Sequence, residues 1–171
     1  MLSLRVATPA DNERIDELFA QARAFMIAHG NPNQWQPGFP NAAMLQEAMA
    51  QKQAFVCLDD AVADPKEQIV GVFTLSFSEP AYDNLQGGKW HGPNDHYAVI
   101  HRMACASGHG AGTFIMKKMQ EQYDHIRIDT HKDNVPMCSL LRKLGFQYCG
   151  TVFYDRPGGG ERVAFDWVKA Q

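Results

Sequence analysis

Apolar and polar positions along the chain fall into runs of two periods. Leu4-Arg5-Val6 alternates as a short strand. Thr8-Pro9-Ala10-Asp11 then supplies a capping hydroxyl, a proline at the first helical position and an acid three residues after the cap. Ile15, Leu18, Phe19, Ala22 and Met26 keep helical spacing, and Gly30 closes that helix. Residues 31–40 form an irregular loop whose large aromatics, Trp35 and Phe39, can pin it to a core. Asn41 caps a short helix carrying Leu45, Ala48 and Met49. Residues 54–58 and 69–77 read as strands, joined by a polar link containing Pro65. Residues 78–95 hold Pro80, Gly87, Gly88, Gly92 and Pro93 without periodicity, which points to a functional or mobile loop.

The apolar run 96–105 predicts a central strand, followed at once by Ser107-Gly108-His109-Gly110-Ala111-Gly112-Thr113 and a helical stretch from Phe114. A strand feeding a glycine-rich turn that opens a helix suits a phosphate. Its N–H groups are exposed, the helix end is partly positive, and glycine lets a ligand approach the backbone. The dinucleotide fingerprint G-x-G-x-x-G does not fit G-x-G-x-G, although Asp129 follows at a distance near the one that fingerprint needs. A P-loop fails because no lysine follows Gly112. Downstream, 126–130 alternates as a strand and Asp133-Asn134 opens a helix. Met137, Leu140, Leu141 and Leu144 share one face of it, and Gly145 ends it. Residues 146–153 and 162–167 are the last strands, joined by a flexible tip at 155–161. The reading is a single domain over 1–171 of α/β class (α+β by stricter counting), with a mixed, mostly antiparallel sheet.

Two stretches carry a family resemblance. Gly108, Gly110, Gly112 and Thr113 match the pattern R-G-x-G-x-G-S/T, with Ser107 where arginine or glutamine is usual. Asn134, Leu140, Gly145 and Phe146 match N-x-x-A-x-x-L-Y-x-x-x-G-F in register, with Leu141 at the tyrosine position. In order and separation these resemble the GNAT superfamily of acyl-CoA-dependent N-acyltransferases. The resemblance implies a sheet splayed between the strands around 97–105 and 126–130, where the pantetheine arm of acetyl-CoA inserts. It places the pyrophosphate on residues Ser107, Gly108, His109, Gly110, Ala111, Gly112 and Thr113. Pantetheine would pair with the backbone of Met103, Ala104 and Cys105, and Asn134 would order the cofactor's far side. It also makes the loop with Trp35 and Phe39 a wall of the acceptor site, and it makes a homodimer possible.

Composition limits the partners. A net charge of -3 and a pI near 6.1 argue against nucleic acid or an anionic membrane surface. No apolar run approaches a membrane span and the first residues lack a signal core, so a cytoplasmic protein is expected. Cys57, Cys105, Cys138 and Cys149 sit in apolar stretches with no C-x-x-C, which favours buried thiols over zinc or a disulfide framework. The spacing of His91, His96, His101 and His109 predicts no metal site.

Amide formation from a thioester needs a neutral amine, a donor for the oxyanion and an outlet for the thiolate. Strict alternation would put Val99, His101, Met103 and Cys105 on one face and Arg102 on the other. His101 is then the candidate base. Glu79 is the rival carboxylate, and Cys138, one turn before Leu141, is a substitute acid. By the resemblance, a backbone N–H near 103–105 faces the oxyanion. The expected reaction is direct transfer of acetyl from acetyl-CoA to a primary amine of a small molecule or peptide. Alternatives are a non-catalytic CoA-binding module, favoured by Leu141, and a protein N-terminus or lysine as acceptor.

Overall fold

The computed structural model describes residues 1–156 and 159–171; Pro157 and Gly158, in the expected hairpin tip, lie outside the described residues. The strands are β1 (Leu2–Val6), β2 (Ala54–Asp59), β3 (Ile69–Ser76), β4 (Ala98–Cys105), β5 (His125–Thr130), β6 (Gln147–Phe153) and β7 (Glu161–Val168). The α-helices are α1 (Asn12–Ala28), α2 (Gln46–Ala50), α3 (Ala111–Gln122) and α4 (Val135–Lys143). The seven strands hydrogen-bond in the order β1-β2-β3-β4-β5-β7-β6. β1–β2, β2–β3, β5–β7 and β6–β7 are antiparallel, whereas β4 and β5 run parallel. This is the mixed, mostly antiparallel sheet the sequence predicts. The parallel ladder covers Ala98↔Ile126 and Val99↔Arg127.

Chain contacts divide the fold into two compact units. The first comprises Met1–Phe25, Trp35–Leu75 and His101–Ile115; the second comprises Met26–Gln34, Ser76–Ile100 and Met116–Gln171. In the first unit, α1 turns Ile15, Leu18 and Phe19 onto Leu45, Val56 and Val72, the face that its helical spacing predicts. Trp35 meets Phe19 edge-on, with ring centroids 5.7 Å apart, and so pins its loop to this core. Phe39 is half-buried and its N–H donates to Gln36 O at 3.0 Å. α1 is entered through Asp11, which takes two bonds from Arg5, at 2.8 and 2.9 Å, and one from Thr8 N at 2.9 Å.

In the second unit, Tyr82, Tyr97, Val99, Val152 and Ala164 form a core joined by Leu85, Trp90 and Tyr154. Arg127 on β5 is buried, with its guanidinium 4.2 Å from the Trp90 centroid and 4.0 Å from that of Tyr97. The stretch 78–95 is more ordered than its lack of periodicity suggests. Pro80–Asn84 is a 3-10 turn, started by the Glu79 carboxylate accepting from Ala81 N, and Gln86 bridges to Thr151 on β6. Close approach needs glycine here, since a Cβ on Gly88 would fall 2.0 Å from Cys149 O.

Candidate active site

In the first unit, Ala106 N donates to Val70 O at 2.8 Å, and the chain then turns out through Ser107. Gly108 and Gly110 stand at φ 88° and 69°, in the left-handed region that favours glycine. A Cβ on either would meet no atom within 4 Å, so the space before the turn is open. α3 begins at Ala111, inside the glycine run and earlier than the expected Phe114. Phe114 N closes the first helical bond to Gly110 O at 3.1 Å; the N–H groups preceding it belong to the unbonded, positive end of α3. Ser107 and Thr113 are exposed, and residues 107–113 carry no acid. These features fit a pyrophosphate. The side chain of His109 has a different task, donating from Nδ1 to Asp59 Oδ2 at 2.8 Å. That bond, with Ala61 N at 3.0 Å, holds the Asp59 carboxyl below its usual range and ties the turn to the end of β2.

β4 departs from the expected alternation. Arg102 has φ 51°, a left-handed backbone within a strand. His101, Arg102 and Met103 are consequently all half-buried, whereas Ala104 is buried in the core. The single face shared by Val99, His101, Met103 and Cys105 is therefore corrected: the register of faces changes at Arg102, as it does wherever a strand is kinked. The His101 carbonyl accepts from Thr74 Oγ1 at 3.1 Å. Cys105 Sγ lies over Gly71 beside Cys57; burial pushes the two thiols up to about 12 and about 11, leaving both neutral.

The second unit contains a group that periodicity did not reveal. Asp129 Oδ2 accepts from Tyr82 OH at 2.7 Å and from Tyr154 OH at 2.6 Å. Burial, then the carboxylate, pushes both phenols up, so they remain donors across the working pH range. Glu79 is close enough to add to the rise at both tyrosines. Arg127 and Asp129 alternate with Ile126 and Ile128, and that polar pair within a buried strand was the signal available. Tyr148 is half-exposed and packs edge-on against Phe165.

Asn134 caps α4, accepting from Met137 N at 3.3 Å and donating to Gln34 Oε1 and Thr130 Oγ1 at 3.2 and 3.1 Å. Cys138 is buried on α4, its Sγ 4.0 Å from His131 O, and burial raises its thiol; that favours packing over proton donation. Leu141 is fully buried. Of the four histidines weighed for metal, His91 meets two residues not considered with it, Cys149 and Asp166.

No family model matches the sequence, and neither does any curated protein. Solved structures do. An acetyltransferase of the GNAT family from Streptococcus agalactiae superposes with a TM-score of 0.84 at 29% identity, covering 99% of this chain and 96% of that one. The chain belongs to the GNAT superfamily. Two further structures share the GNAT fold at lower identity. Arabidopsis thaliana NAA60, in complex with a bisubstrate analogue, gives a TM-score of 0.66 at 11% identity over 99% of this chain and 98% of that one. The NatC complex bound to Gag peptide and CoA gives 0.57 at 14% identity over 99% of each chain. The enzyme is thus a GNAT-type acyltransferase.

Proposed function

We propose that this acyltransferase moves an acetyl group from acetyl-CoA to a primary amine of a small molecule or peptide by direct attack in a ternary complex, with residues 1–171 acting as one domain. The observation that carries the reading is the pair of left-handed glycines, Gly108 and Gly110, at the N-terminus of α3. Such a turn offers N–H groups and a positive helix end to a pyrophosphate. Acetyl-CoA, when bound, supplies the activated acyl group. The chain's own groups then bind and move protons. The backbone of Met103, Ala104 and Cys105 takes the pantetheine and stabilises charge on the acyl oxygen. His101, half-buried on β4, accepts the amine's proton directly or through water.

Asp129, braced by two phenols, and Glu79 beside them supply negative charge that suits an incoming ammonium. Leu141 offers no hydroxyl, so the thiol leaves as a thiolate or takes its proton from water. The test is thiol release from acetyl-CoA across a panel of small amines and short peptides. Turnover with an amine, falling about 10²-fold or more in His101→Ala, is the expected result. No thiol release with any amine, from protein that binds CoA, overturns it.

A further inference from the structure

The β3–β4 connection carries His91 onto the β6–β7 hairpin of the second unit, where three different ligand types converge. His91 Nδ1 lies 2.7 Å from Asp166 Oδ1, and Cys149 Sγ lies 3.4 Å from that nitrogen and 3.1 Å from that oxygen. From this convergence we infer a site for a divalent transition cation of the zinc class, held by His91, Cys149 and Asp166. It is independent of the acyl-transfer reading.

Thiolate, imidazole and carboxylate together suit zinc and its neighbours and do not suit calcium or magnesium. With metal–ligand distances of about 2.0–2.3 Å, tetrahedral ligand atoms stand roughly 3.3–3.6 Å apart. Of the three atoms, hydrogen-bonded to one another, His91 Nδ1 and Asp166 Oδ1 at 2.7 Å need to open by about 0.6–0.9 Å to admit the ion, and the two sulfur contacts by less. His91 can make that movement: it lies on a connecting loop and its side chain is 33% exposed, so solvent reaches it. Cys149 and Asp166 are fixed on strands. The β6–β7 register shifts between Tyr148 and Gly150, so Cys149 is the residue set out of step, and it is buried.

The carboxylate is oriented from behind, as ligands in metal sites are. Asp166 Oδ2 accepts from His91 N at 2.7 Å, Gly92 N at 3.2 Å and His125 Nε2 at 3.0 Å, which directs Oδ1 toward His91 and Cys149. Gly92 is required for this approach, because a Cβ there would fall 2.6 Å from the His125 ring. On binding, the Cys149 thiol loses its proton to solvent and the His91 proton moves from Nδ1 to Nε2, so one proton is released per ion.

The test is a Co²⁺ titration of the reduced, chelator-stripped full chain, read by absorbance, with Zn²⁺ as competitor. Expected is a thiolate-to-cobalt charge-transfer band that saturates at a single ion per chain and is erased by Zn²⁺. Cys149→Ser keeps a hydroxyl donor to Asp166 and should lose the band. His125→Gln should keep it, with affinity about 10–100-fold weaker. Should Cys149→Ser fail to fold, His91→Gln on the exposed loop serves instead, with weakened binding expected. No band in the wild type, or a band that survives Cys149→Ser or binding unweakened in His91→Gln, overturns the site and leaves a hydrogen-bonded tie.

Discussion

At Gly110 the backbone stands at φ 69° directly ahead of α3, with open space where a side chain would point. Alanine there meets no atom, so its penalty is conformational, about 1–2 kcal/mol. Aspartate adds a negative charge at the site proposed for a pyrophosphate. Calorimetric titration with CoA should therefore show a modest loss for Gly110→Ala and no binding for Gly110→Asp. Unchanged affinity in the aspartate variant rejects the cradle. Asp129 is the second residue of consequence. Asp129→Asn still accepts from both phenols but loses the charge, so kcat/KM for the amine should fall by about 10²-fold while the CoA affinity holds. Equal loss for amine and CoA would assign Asp129 a structural role only. The glycines were legible because each motif is contiguous. Asp129 was not, because its meaning comes from Tyr82 and Tyr154, 47 and 25 residues away.

Among the elements, α1 shows how a local signal becomes an energetic one. The pairing of Thr8 with Asp11 is written in adjacent residues, and the structure adds Arg5 as a bidentate partner. That arginine, then the Thr8 N–H, holds the Asp11 carboxyl below its usual range against the effect of burial. A carboxyl depressed by folding contributes stability that is complete above the unfolded value, about 4, and is lost as pH falls through the folded value. Asp11→Asn should thus destabilise the protein by about 1 kcal/mol at pH 7, the Arg5 side being partly solvated, and the difference should vanish in strong acid. Urea unfolding at several pH values measures this; a gap that persists below pH 2 would contradict it. β4 teaches the opposite lesson. Its extent was readable to within two residues, yet its faces were not, because one left-handed residue, Arg102, reverses them and leaves no trace in the hydrophobic pattern.

For the whole molecule, ligand linkage gives the broadest test. A ligand that binds only the folded state raises its stability, by about 2.7 kcal/mol at a hundred times Kd. Acetyl-CoA and CoA should raise the melting temperature, and NAD should not. Stabilisation by NAD alone would return the glycine turn to the dinucleotide class. The order of elements and the sheet's mixed sense were legible, since both follow from local periodicity and turn residues. The meeting of His91, Cys149 and Asp166 was not, because it depends on a loop brought back to two strands and on glycines at 88 and 92 that permit the approach. That same loop contains its own optical gauge. The Trp90 indole lies beneath the Arg127 cation and donates its N–H to Tyr82 O at 3.0 Å, a shielded and electrically biased setting for a fluorophore. In a Trp35→Phe, Trp167→Phe background, its emission should shift to the red and change in intensity whenever the loop lifts, so the protein can report that motion without a label.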